Sequence, residues 1–311
     1  MRSPPTRRRI TSPATTAWAA IAHAAAAFLP TWDDHEVDNN WAGDFSEEGT
    51  PVEAFRLRRF AAMQAWYENM PVRRAQFPAN GRVTMFRRLD YGSLLRVHLL
   101  DTRQYRTDQT CGKAAEKACR QQDGSPTTML GADQEAWLDQ GLDSPARWNL
   151  LAQQVMVMPF LYPESRADGV INQDAWSGYP DARRRLVDTI QRRRLTNVVV
   201  ATGDVHKHHA GIVPLRDGAL DGPAVASEYV CSSISSGGDG SDMPKGWEGV
   251  AAANPHTKLL NDRRGYQLFD IRNDEWRTEV IAVDQISRPG GRRTKVASLV
   301  TVPERPGVEL G

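Results

Sequence analysis

The chain has 311 residues, 40% of them apolar and 25% charged, with nine tryptophans, a globular composition sufficient for one large α/β domain or two small ones. Its formal net charge is +1, so no overall basic field points to a nucleic acid partner. No apolar run of about eighteen or more residues occurs, so no transmembrane segment is expected.

The N-terminal stretch "TRRRITSPATTAWAAIAHAAAAFLP" is basic and then alanine-rich. It loosely imitates a twin-arginine signal, but it runs straight into an acidic motif. It is therefore read as a helix packing beside that motif rather than as a signal peptide, and residues 1–23 are assigned no role. The acidic motif is "TWDDHEVDNNW", Thr31 to Trp41. Thr50 and Glu53 then suggest a capping box, with Pro51 at the first helical position. Val52, Phe55, Phe60, Met63 and Trp66 recur at near-helical spacing, and Pro71 ends the run. "VTMFRRLDYGSLLRVHLLD" predicts two strands around Tyr91 and Gly92. Thr102 to Thr128 reads as a long polar surface loop containing Cys111 and Cys119, which are close enough in sequence to bridge.

"GADQEAWLDQGLDS" predicts a short helix and "RWNLLAQQVMVMP" a buried strand. "YPDARRRLVDTIQRRRL" predicts a helix with Leu186, Val187 and Ile190 inward and its arginines outward. "TNVVVATGD" is an apolar strand of the kind found in parallel sheets covered on both faces. "SEYVCSSIS", where Cys231 reads as a small buried residue, "GYQLFDIR" and "TEVIAVD" are further strands. The tail after Ser287, with its glycines and prolines, reads as loosely ordered. The alternation of elements favours one layered α/β domain.

Three clusters carry chemistry. The first is Asp33, Asp34, His35, Glu36, Asp38, Asn39 and Asn40. The second is "TGDVHKHH", with Asp204, His206, His208 and His209. The third is "NPH", Asn254 to His256, which by itself also reads as a simple turn. The first two each follow an apolar segment, where the chain leaves the carboxyl edge of a sheet and open α/β folds bind ligands. Carboxylate, imidazole and amide oxygen form a ligand set for hard or borderline metal ions, and paired metals suit phosphoester hydrolysis. Solvated acids at a helix start and a loop of exposed histidines are the plainer alternatives. Asp101 reads as an ion-pairing residue. No serine-nucleophile elbow, zinc-protease motif or phosphate-binding glycine loop is present.

"TWDDHEVDNNWAG", "LDTRQYR", "LGADQEAWLDQGL", "RWNLLAQQVMV", "DAWSGYPDARRRL", "NVVVATGDVH", "SISSGGDG" and "NPHTKLLNDRRGY" occur in one order that resembles the alkaline phosphatase D (PhoD-like) metallophosphatases. The resemblance spans residues 24–286. It implies a calcineurin-like αββα sandwich and hydrolysis of phosphate mono- or diesters by a metal-bound oxygen nucleophile. It further implies iron and calcium as cofactors, a phosphoester as the partner, and a secreted or periplasmic location. A monomer is expected, with 287–311 as a C-terminal tail. On this resemblance Asp34, Asn40, Asp204, His206 and His256 are candidate metal ligands, and His35, Asp204 and His206 are candidate catalytic residues. The family's N-terminal β-domain, ligand cysteine and "GD-x-x-Y" motif have no counterpart in the chain, so a member lacking its first strands is expected. Two alternatives follow: a non-catalytic remnant, and a phospholipase D-like or polymer-directed phosphodiesterase. With export implied, Cys111 and Cys119 are expected to form a disulfide.

Overall fold

The computed structural model describes residues 21–109, 126–162 and 172–311. The Cys111–Cys119 pairing lies outside these residues. Besides the helical residues 21–25, the described α-helices are α1 (Val52–Asn69), α2 (Gly131–Leu142), α3 (Pro180–Arg192) and the single turn α4 (Val250–Ala253). The first strands are β1 (Arg87–Tyr91), β2 (Leu95–Leu99), β3 (Trp148–Ala152), β4 (Val198–Thr202), β5 (His208–Pro214), β6 (Ala224–Val230) and β7 (Thr257–Asn261). The remaining strands are β8 (Arg264–Ile271), β9 (Trp276–Val283), β10 (Arg293–Val302) and β11 (Arg305–Leu310).

Seven strands form a mixed sheet in the order β1-β2-β3-β4-β6-β5-β7. Its centre, β2 through β6, is parallel, while β1, β5 and β7 run antiparallel to their neighbours. A second, antiparallel sheet has the order β11-β10-β9-β8. One face of the large sheet buries Leu151, Val198 and Val200 against Leu138 of α2 and Leu186, Val187 and Ile190 of α3. The other face buries Trp148, Val199 and Tyr229 against Trp276, Val280 and Leu299 of the second sheet. Trp148 and Trp276 meet edge to face with ring centroids 5.7 Å apart. The result is a helical layer, a large sheet and a smaller sheet, matching the expected α/β sandwich class. No helix among the described residues is long and apolar enough to cross a membrane.

Several local expectations change. The capping box does not form: Pro51 is the N-cap residue with an extended backbone, and the Thr50 hydroxyl accepts from Ser46 instead. Among the described residues, the helix that packs on the acidic motif is α1. Phe55, Met63 and Trp66 of α1 pack on Trp32, Val37 and Trp41, forming a third cluster. Helical residues 21–25 are mostly exposed, because alanines offer little apolar area to bury. Phe60, expected inward, is 40% exposed. The residues after Ser287 are not loose: β10 and β11 complete the second sheet, and Leu299 and Val308 enter its core. Cys231 lies one residue past β6 and is only half-buried. Burial pushes its thiol up to about 11, so it stays protonated at neutral pH.

Two buried charges clamp the chain where it leaves β3. The Glu228 carboxylate accepts the amides of Val157 (2.9 Å) and Met158 (2.6 Å) and the Thr202 hydroxyl (2.6 Å). Arg183, expected outward, is buried and donates to the carbonyls of Val157 and Pro214. An acceptor and a donor thus serve backbone groups beyond the end of β3, since buried backbone groups need partners.

His208 and His209 are strand residues of β5, both fully buried. The His209 ring stacks edge to face on Phe160 at 4.7 Å, and neither of its nitrogens has a hydrogen-bond partner. Burial lowers its pKa to about 3. As pH falls, the unfolded ring takes up a proton near 6.5 and the folded ring only near 3. The unfolded chain therefore binds more protons in that window, and stability falls by about 1.4 kcal/mol per pH unit for this group. His209→Phe is expected to hold or raise stability at pH 7 and to flatten the acid limb by about that slope. Urea melts of both proteins between pH 4 and 7 would check it; parallel acid limbs would refute it.

Candidate metal centre

The parallel strands β2, β3, β4 and β6 all end at one edge of the large sheet, and the candidate residues lie in the segments leaving it. Asp101 follows β2, Gln153 and Gln154 follow β3, and Asp204 follows β4. Gln154 joins them: its carbonyl oxygen accepts from Thr102 N (2.8 Å), and its amide donates to the Thr31 hydroxyl (2.9 Å). The acidic segment is thereby brought over the strand ends.

The acidic motif is folded around its own carboxylates. Asp34 accepts from the amides of His35 (2.8 Å) and Asn40 (3.0 Å), and Glu36 accepts from Asp33 N (2.8 Å). The Asn40 amide group donates to Glu47 at 3.0 Å. The segment after β4 turns more sharply. Val205 N donates to the Gly203 carbonyl at 2.9 Å, closing a three-residue turn around Asp204, whose φ is +70°. That turn is a rare and strained form. His206 (φ +55°) and Asn40 (φ +47°) are also left-handed. Among the described residues, three of the five non-glycine positions with positive φ are thus candidate site residues, and strain of this kind concentrates at functional sites.

Carboxylate oxygens of Asp33, Asp34 and Asp204 lie within 4.8 Å of one another. Arg103, fully buried, reaches into the same cluster. Its guanidinium meets Asp33 (2.6 Å), Asp174 (2.7 Å) and Asp204 (3.1 Å). Arg106 also pairs with Asp174 at 2.6 Å. Burial raises the Asp33 carboxyl to about 6 despite Arg103, and raises Asp204 well above the usual range with the Asp33 charge adding to it. Asp174 is held down to about 2, because Arg103 and Arg106 outweigh its burial. Four carboxylates, two of them partly exposed, therefore gather about two buried guanidiniums. A hard cation relieves that imbalance, and an all-oxygen carboxylate set is what such a cation takes.

Asp34 and Asp204, both expected ligands, converge. Asp33 completes the group, although the resemblance had singled out only Asp34. His35 stands beside Asp34, with Nε2 3.8 Å from its carboxylate and 63% of its side chain exposed. His206 is close enough to Asp34 and His35 to feel their charges, and burial followed by Arg264 lowers its pKa, favouring a neutral imidazole. It is not one of the three converging residues. Nor are Asn40 and His256. The His256 ring is buried and donates Nε2 to the Pro159 carbonyl at 2.7 Å, pinning the segment before β7. His208 does similar structural work, its Nδ1 accepting from Ser232 N at 3.3 Å.

Asp101 makes no ion pair among the described residues. It accepts from the amides of Arg103 (3.0 Å) and Gln104 (2.9 Å) and so shapes the turn that aims Arg103. The surface loop expected from Thr102 onward is buried through Arg106, apart from a half-buried Tyr105, because it threads beneath the acidic motif. Arg103 and Asp174 were not singled out from sequence. Each lies in a quoted motif, "LDTRQYR" and "DAWSGYPDARRRL", but nothing in a single chain announces that two residues 71 positions apart will pair.

A model of the PhoD-like phosphatase family matches residues 7–280. Alkaline phosphatase D of Bacillus subtilis (strain 168) is 37% identical over 288 residues, covering 92% of this chain and 49% of that protein. A solved structure titled "Structure of PhoD" superposes with a TM-score of 0.88 at 36% identity, covering 93% of this chain and 55% of that one. The chain thus spans about half the length of the relatives it matches.

Proposed function

Because the chain belongs to the PhoD-like phosphatase family, we propose that it is a metal-dependent phosphoesterase whose site is the Asp33, Asp34 and Asp204 cluster. The observation that supports this most is the convergence of those three carboxylates at the carboxyl edge of the sheet. Phosphate mono- or diesters are the proposed substrates, calcium and iron the proposed ions, and export the proposed route.

Metal ions at this place would neutralise phosphate charge and make a bound water nucleophilic at neutral pH. The remaining work falls to the chain's own residues. Asp33, Asp34 and Asp204 would hold the ions. Hydrogen bonds from the backbone of the acidic loop fix the Asp34 carboxylate at both oxygens. His35, exposed beside Asp34, is placed to hand a proton from an imidazole nitrogen to the departing oxygen. His206, kept neutral, is able to contact an ion or a phosphate oxygen.

Turnover of bis(p-nitrophenyl) phosphate that rises with added calcium and iron is the expected result, and metal analysis should find bound ion. Its absence from purified, metal-supplied protein would favour a non-catalytic role. His35→Asn adds a finer test. Nitrophenolate leaves without help, whereas an alkoxide needs a proton. The variant is expected to lose roughly a hundredfold on alkyl phosphodiesters and much less on nitrophenyl esters. Equal losses on both would remove His35 from the proton-donating role.

A further inference from the structure

The Arg103 guanidinium sits where a cation would. It is fully buried, so it touches no substrate, yet it shares two of the three converging carboxylates. Nε (2.7 Å) and Nη2 (2.6 Å) of Arg103 both donate to Asp33 Oδ1. Nη2 also donates to Asp204 Oδ1 at 3.1 Å. The third partner, Asp174, lies on a separate segment and carries an orphaned buried Oδ2. One side chain thus ties the acidic motif, the turn after β4 and the segment before α3 to the loop after β2.

We propose that Arg103 is a positioning residue, a fixed internal cation that holds Asp33 and Asp204 in place and is thermodynamically coupled to metal binding through those shared carboxylates. The inference rests on the metal reading above. Two consequences oppose each other. Without metal, Arg103 supplies charge that buried carboxylates require, so the site stays assembled when empty of any ion. With metal, the two cations repel and divide the same oxygens, so part of the binding energy is lost. A residue that only held the fold would weaken the protein equally with or without metal. Arg103 should not, because its removal leaves a deficit that the ion itself can fill.

The test is a thermal-melt titration with calcium chloride on the wild-type chain, Arg103→Met, Arg103→Lys and Asp204→Asn. Arg103→Met is expected to melt lower than wild type without calcium and to gain at least about twice the wild-type rise when calcium is saturating. Arg103→Lys keeps the charge without the planar fork and is expected to show a rise close to wild type. A rise in Arg103→Met equal to or smaller than that of wild type overturns the coupling while leaving the metal reading intact. If Arg103→Met does not fold alone, refolding decides: recovery only with calcium supports the coupling, and failure in both conditions overturns it. Asp204→Asn should abolish the rise. A wild-type chain with no rise at all overturns the metal reading and the coupling together.

Discussion

Asp204→Ala is expected to lower hydrolysis of bis(p-nitrophenyl) phosphate by at least about a hundredfold relative to the parent under the same metal supply. The reason is geometric as well as electrostatic. Asp204 is the only one of the three converging carboxylates that comes from the sheet itself, through the turn after β4; Asp33 and Asp34 come together on one loop. Removing it opens the cluster on its sheet side and frees Arg103 from one of its three partners. Loss of alignment between attacking and leaving groups alone costs on the order of a hundredfold. Steady-state kinetics, with circular dichroism to show that the fold persists, would check it. A tenfold loss or less would move the metal away from Asp204.

The largest stability effect is expected at the seam between the sheets. Trp148 is fully buried, packs on Trp276, and donates its indole N–H to the Arg272 carbonyl at 2.6 Å. Trp148→Ala removes that bond and leaves a large void where two sheets meet. Truncations of this kind cost about 3–5 kcal/mol, against a total stability of about 5–15 kcal/mol. A fall in melting temperature on the order of 10 °C follows for a chain of this size. The same substitution at Trp137, half-buried against Phe86 and His98 away from the seam, should cost markedly less, and similar losses at both would mean that the seam is not the weak point.

The strands that read clearly from sequence are those with a simple environment. β4 is apolar up to its last residue, Thr202, because both faces are covered, and β9 alternates because one face meets the other sheet while the opposite face does not. β5 was missed because it begins with two buried histidines, His208 and His209, and the His209 ring is buried without the partners that polarity announces. β10 and β11 were missed because prolines and glycines surround them and because a single strand pair buries little until a neighbouring sheet is in place. The site was legible where chemistry is local, as in the acidic motif and the turn after β4. It was not legible where it depends on distance. Arg103 looks like any arginine after a strand, and only folding brings Asp33, Asp174 and Asp204 around it.

The left-handed turn at Asp204 has an evolutionary consequence. Glycine accepts that backbone without cost, and it would also remove a buried carboxylate that repels Asp33. A library selected only for heat resistance should therefore discard the aspartate here early, keeping a sturdier protein that no longer turns over substrate. Position 204 would then report which pressure a lineage has lived under: retained aspartate marks selection for chemistry, and glycine marks selection for endurance alone.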